Sequence, residues 1–248
     1  MSSSSDLRSG PDPVPVFITV RDRLEPLRRL VEWLERAGGV DITLVDNDSA
    51  YPPLLEWLAG SPHRVVHTGR NLGPRVAWLT GLVQRVGLQR PYVVTDPDVV
   101  PDEECPSDLL DHLAAVLASH PEVERVGPGL RIDDLPVGGG HTEAVVAWES
   151  QFWAHEVEPG LFAADIDTTF AMYRPGRRTP GAPALRTGRP YVARHLPWYQ
   201  VGPPGDEVLF YRARADPTVN SWDLEDLPPY LRRLLDEHPP AGSIRAQP

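Results

Sequence analysis

Alternation of two hydrophobic periods is what most constrains this chain. Four short runs rich in β-branched residues are VPVFITV (14–20), DITLVD (41–46), HRVVHT (63–68) and YVVTD (92–96). Stretches of helical period separate them. In the first, Leu24, Leu27, Leu30, Val31 and Leu34 share a stripe, and Gly38-Gly39 ends it. YPPLLEWLAG predicts a short second helix. GPRVAWLTGLVQRVG (73–87) predicts one helix with Val76, Leu79, Val83 and Val86 on its apolar side. SDLLDHLAAVLASH predicts another, with Ser107 as N-cap, before a strand in VERVGPGLRI. Strands alternating with helices in this way predict an α/β fold with a mostly parallel sheet covered on both faces.

Such sheets bind ligands beyond the carboxyl ends of their strands. The residues predicted there are polar: Arg21 and Asp22, Asp46 and Asn47, Arg70 and Asn71, Asp96 and Asp98. The fourth strand ends in Asp-Pro-Asp. Two like charges so close repel each other, so a positive partner is expected. Residues i and i+2 of an extended segment point the same way, so Asp96 and Asp98 can face one cation. Hard carboxylate oxygens suit Mg²⁺ or Mn²⁺, which keep positions open for phosphate oxygens.

Beyond residue 132 the alternation stops. DDLPVGGGHTEA reads as a mobile loop, LFAADIDTTFAMYRP and RTGRPYVARHLPWY as strands, and GDEVLFYRARA and DLPPYLRRLLDEH as helices. Trp148, Trp153, Trp198 and Tyr199 are candidates for stacking on sugar faces.

Composition narrows the partners. The 248 residues carry a net charge of −11, which repels nucleic acid and anionic lipid. Arginine supplies the positive charge, so an anion site here is built from guanidinium groups. One cysteine, Cys105, excludes an internal disulfide and fits a reducing, cytoplasmic setting. No apolar run reaches membrane-spanning length.

Four segments in order, VFITVRDR, LVDNDSA, RNLGPRVAWLTGL and TDPDVVP, resemble the GT-A glycosyltransferases, specifically the family 2-like group. The resemblance covers about half of the chain. It implies a Rossmann-like nucleotide-sugar-binding part at 14–132 and a smaller mixed acceptor part of the same domain at 133–240. Residues 1–13 and 241–248 are expected to be disordered tails. It also implies a UDP- or GDP-type sugar donor. Thr19, Arg21, Asp46, Asn47, Arg70 and Asn71 would contact the nucleotide, Asp96 and Asp98 the metal, and a late histidine, His195, would join the metal. Arg194 would neutralise the leaving diphosphate. The sequence shows no Q-x-x-R-W element and no membrane helices, which argues against a processive polysaccharide synthase. A sugar-1-phosphate nucleotidyltransferase is disfavoured because VRDRLEPLRR has no glycine to cradle phosphate. A non-catalytic nucleotide-sugar-binding module stays open.

Inverting transfer needs a carboxylate to take the acceptor proton. Asp167 is the first candidate and Asp165 the second, with His141 and Glu149 behind them; inversion and retention both stay open. Asp167→Asn keeps shape but removes basicity. Donor binding is expected to survive while transfer falls by roughly 10²–10⁴. Wild-type turnover in a sugar-transfer assay would make Asp167 structural.

Overall fold

The computed structural model describes residues 12–86, 89–136, 142–166, 169–176, 181–215 and 232–233. Its first half holds β1 (Val14–Val20), α1 (Glu25–Ala37), β2 (Val40–Asp46), α2 (Pro52–Ala59) and β3 (Arg64–His67). Next come α3 (Val76–Leu79), α4 (Leu82–Val86), β4 (Tyr92–Thr95), β5 (Val99–Pro101), α5 (Leu109–Ser119) and β6 (Arg125–Leu130). The second half adds α6 (Thr142–Glu149), β7 (Glu156–Glu158), β8 (Leu161–Ala163), β9 (Ala171–Tyr173), β10 (Ala184–His195) and α7 (Asp206–Arg214).

Among the described residues the strands form one sheet in the order β3-β2-β1-β4-β9-β6-β10-β8-β7, with β5 on β10. β1 to β4 are mutually parallel, as the alternation predicts. β9 then inserts antiparallel between β4 and β6, and β6 resumes the parallel direction beside β10. Period-2 alternation explains the two layers. Val16, Ile18 and Val20 of β1 face one core with α1, α2 and α5, while Phe17 faces the other with Val45, Val76, Val83 and Tyr92.

Several local expectations change. The segment 73–87 is two short helices, not one. Gly81 (φ 72°) separates α3 from α4, and Leu79 points to solvent instead of the core. Asp108, not Ser107, occupies the N-cap of α5, with no side-chain cap bond. The segment 161–173 is two strands, β8 and β9, because β8 pairs with β10 while β9 must reach β4 and β6. The loop residues 137–141 and most of the predicted last helix lie outside the described residues. No helix of the described residues is long and apolar enough to cross a membrane.

Order β2-β1-β4 means that the chain leaves β1 in one direction for β2 and β3, then returns to its other side as β4. The carboxyl ends of β1 and β4 therefore flank a topological switch point, where such sheets open a crevice. Asp22 fixes one wall of it. It has a left-handed backbone (φ 50°) and is 1% exposed. Its Oδ1 accepts hydrogen bonds from the amides of Ala50 (2.6 Å) and Tyr51 (2.8 Å), which lead into α2. α2 has no side-chain cap of its own. Asp22→Ala orphans both amides and is expected to cost about 1–3 kcal/mol. Urea unfolding should show a lower midpoint with an unchanged slope; an unchanged midpoint would contradict the stapling role.

Candidate functional site

Two residues far apart in sequence meet at this edge. β4 ends at Thr95, and the turn Asp96-Pro97-Asp98 leads into β5. β5 pairs antiparallel with the end of β10, setting His195 opposite Val99. The Asp98 carbonyl accepts the Leu196 amide at 2.9 Å. That pairing brings Nε2 of His195 to 3.7 Å from Oδ2 of Asp98. Asp98 is 7% exposed, and Asp96 is partly exposed at the start of the same turn. Nδ1 of His195 is buried without a hydrogen-bond partner, and its ring meets Trp198 edge-on at 4.7 Å. Burial pushes the His195 pKa down, against the Asp98 charge that raises it. Lowering favours the neutral imidazole that ligates metals.

Asp98 and His195 fit a divalent cation: a carboxylate oxygen and an imidazole nitrogen stand close enough for one ion to meet both. Among the described residues no group of three His, Cys, Asp or Glu side chains gathers in this way. A guanidinium is the positive partner of Asp98 in this structure. Nη1 of Arg23 lies 2.8 Å from the same Oδ2. Reading the sequence for strand-end polar residues stopped at Asp22 and missed Arg23. The i, i+2 relation to Arg21 and the demand for a cation near Asp-Pro-Asp were the available clues.

At the end of β1, two polar atoms of the strand and the residue that follows it are buried without partners: Oγ1 of Thr19 and Nε of Arg21. Asp46 is buried, with Oδ1 accepting the Ser49 amide (3.0 Å) and Oδ2 facing Nδ1 of His67 (2.8 Å). Asn47 donates to Oδ1 of Asn71 (2.9 Å) and accepts the Leu72 amide (2.8 Å). Asn47 and Asn71 thus fix the loop after β3. Arg70 is exposed on that loop.

α7 lies against the same edge. Oε2 of Glu207 accepts the amides of Leu24 (2.9 Å) and Glu25 (3.1 Å). It thereby caps α1, whose own N-cap residue, Leu24, makes no cap bond. Tyr211 lies 3.9 Å below the Arg23 guanidinium, and Arg214 reaches Oδ2 of Asp22 (3.3 Å).

Other expected site residues lie elsewhere. Strand alternation turns Arg194 away from His195. Its Nε donates to Asp102 (2.7 Å), its Nη2 to Asp134 (2.6 Å), and Arg131 shares Asp102 at 3.1 Å. A cavity of about 320 Å³ opens beside this network, lined by Asp102, Glu104, Arg131, Arg189, Pro190 and Val192. Asp165 is 70% exposed and bonds the buried Arg125. The register sets Arg125 and Tyr92 against the same residue, Tyr173, so Arg125 stands level with the start of β4, while Asp96 follows its end. The structure does not bring Asp165 to Asp98. Asp167 and His141 lie outside the described residues. Glu149 is buried against Arg186; burial raises its pKa to about 7, with Arg186 opposing. Among the aromatic candidates, Trp198 is core, Trp153 donates to the Leu130 carbonyl (3.2 Å), and Tyr199 donates to Asp134 (2.8 Å).

No protein-family model matches the chain, and no curated protein matches it in sequence. Among solved structures, it is similar to a 4-diphosphocytidyl-2C-methyl-D-erythritol synthase from Anaerococcus prevotii (11% identity, TM-score 0.37, 82% of each chain covered). It is also similar to glucosyl-3-phosphoglycerate synthase from Mycobacterium tuberculosis in complex with Mn²⁺ and UDP-glucose (14% identity, TM-score 0.38). That match covers 66% of this chain and 57% of the other. A third is a UDP-glucose pyrophosphorylase complexed with UDP-glucose (11% identity, TM-score 0.37, 71% and 74% covered). With TM-scores below 0.5, the fold is judged from the chain's own strand order.

The Asp102 network has a pH signature. Burial pushes the Asp102 carboxyl up, but the Glu104 amide and the Arg131 and Arg194 guanidiniums outweigh it and hold it below 3.8. A depressed carboxyl contributes stability above its unfolded value and loses it as pH falls through the folded one. Asp102→Asn should therefore destabilise at pH 7, by about 1.5–3 kcal/mol, and the gap to wild type should narrow below about pH 4. Urea midpoints at pH 7 and pH 3 check this; a constant gap would contradict it.

Proposed function

We propose that the chain is a glycosyltransferase that moves a single sugar from a nucleotide-diphosphate sugar, of UDP or GDP type, to a small or lipid-linked acceptor. The observation that carries this reading is the approach of Asp98 and His195 beside the β1–β4 switch point. Both were expected there from sequence alone, from opposite halves of the chain. Asp98 and His195 would hold Mn²⁺ or Mg²⁺, with Asp96 in the same turn. When bound, the ion supplies positive charge to a departing diphosphate.

The chain's own residues supply the rest. Thr19 and Arg21 offer buried, unpartnered polar atoms to the nucleotide. Asp46, oriented by His67 and the Ser49 amide, stands at the neighbouring strand end. The Asn47–Asn71 bond keeps the loop before Arg70 and Asn71 in shape. Arg70 is exposed and able to reach a phosphate or base. Asp167 takes the acceptor proton. Arg194, bound to Asp102 and Asp134, is assigned no part in diphosphate binding. A nucleotidyltransferase would need free amides at the start of α1; those of Leu24 and Glu25 already donate to Glu207.

A thermal-shift panel of UDP, GDP, CDP and dTDP with Mn²⁺ tests the reading. One nucleotide is expected to raise Tm, because ligand binding stabilises the folded state by mass action. Asp98→Ala and His195→Ala should each abolish the metal-dependent part of the shift; circular dichroism checks that each variant is folded. An equal shift in excess EDTA would remove the metal from the site. Slow hydrolysis of the matching nucleotide sugar separates a transferase from a binding module.

A further inference from the structure

Oδ2 of Asp98 faces two groups at once. Nε2 of His195 is 3.7 Å away and Nη1 of Arg23 is 2.8 Å away. A divalent ion placed where Asp98 and His195 face each other meets the oxygen that Arg23 holds. Guanidinium and ion are both cations, so each excludes the other from that position. Arg23 is also held from its other side. Its guanidinium lies 3.9 Å over the Tyr211 ring, and the Glu207 carboxylate acts on it as well. These contacts coexist with the Asp98 pair, so Tyr211 and Glu207 stay beside the guanidinium when Asp98 is taken.

The charge balance sets the consequence. Asp98 and Arg23 form a neutral pair. Placing a doubly charged ion on Asp98 leaves Arg23 unpaired and the crevice with an excess of positive charge. A diphosphate removes that excess, and a guanidinium is suited to phosphate oxygens. We propose that Arg23 is an internal competitor for the metal position: it holds Asp98 in the empty protein, yields it to a divalent ion, and then pairs with the diphosphate that accompanies the ion. This rests on the metal-dependent donor reading above. It makes ion and diphosphate bind synergistically, each raising the other's affinity by the same factor.

Two titrations on Arg23→Gln move in opposite directions under this proposal. Mn²⁺ alone, followed by water-proton relaxation, should bind about tenfold tighter than to wild type, because the competitor is gone. Inorganic pyrophosphate titrated calorimetrically at saturating Mn²⁺ should bind about tenfold more weakly, because its partner is gone. Arg23→Lys, which keeps the charge, should stay near wild type in both. Arg23→Met, which keeps packing on Tyr211, repeats the test should Arg23→Gln misfold by circular dichroism. Unchanged Mn²⁺ affinity in the Gln and Met variants overturns the proposal and leaves the metal reading standing. Changes of the same sign in both titrations also overturn it. Absence of Mn²⁺ binding in wild type and variants alike overturns the metal reading, and this proposal with it.

Discussion

Strand β10 is the constraint on which the site depends. Its first part runs parallel to β6 and antiparallel to β8, and its last three residues run antiparallel to β5. A shift of one residue in the β5–β10 register would turn the opposite set of side chains toward Asp98. Arg194 would then face the crevice and His195 the Asp102 network. The Leu196 amide bond to the Asp98 carbonyl closes this register beyond the last strand pair. Backbone pairing, rather than any side-chain attraction, therefore decides which basic residue meets the Asp-Pro-Asp turn.

Charge compensation is the second rule. With a net charge of −11, the chain still buries five carboxylates among the described residues; Asp46 faces the His67 imidazole, and the other four each have a guanidinium. Asp22 has Arg214, Asp98 has Arg23, Asp102 has Arg131 and Arg194, and Glu149 has Arg186. These pairs are not equivalent. Asp102 has two cations and the Glu104 amide, so exchanging one leaves it covered. Glu149 and Arg186 are both buried, and parting them would strand a charge in low dielectric. Asp98 has one guanidinium and one imidazole held toward its neutral form, in the turn after β4. Of the four carboxylates it is the one that has an imidazole beside its guanidinium.

Much of the first half was legible because its rules are local. Alternating periods gave β1 to β4 and the two covered faces. The polar residues at the strand ends followed from the direction of a parallel sheet. Legibility failed where a single residue or a distant partner decides. Gly81 breaks a stripe that periodicity reads as continuous, and the stripe alone does not say that Leu79 faces water. β8 and β9 read as one strand because nothing within 161–173 shows that their partners lie in different parts of the sheet. Asp165 looked suited to catalysis beside Asp167, but its partner Arg125 is forty positions earlier, beyond any local pattern. Arg194 and His195 are the instructive pair. Adjacent residues of a strand point to opposite faces, so assigning both to one diphosphate site already conflicted with period 2. Arg23 was legible in outline: the repulsion within Asp-Pro-Asp demanded a cation, and the sequence reading supplied a metal where this structure supplies an arginine.

α7 connects these points. None of its residues is buried, and it is held by Glu207 on the first amides of α1, Tyr211 under Arg23, Arg214 on Asp22 and Phe210 against Tyr51. Polar and ring contacts at an exposed surface contribute little individually, so the helix belongs to the low-stability end of the fold. Its contacts nevertheless fall on residues that shape the crevice: the amides that open α1, the carboxylate that staples α2, and the guanidinium that holds Asp98. Whatever loosens α7 frees the first amides of α1. A single arginine side chain thus touches both the marginal helix, through Tyr211, and the Asp98 carboxylate.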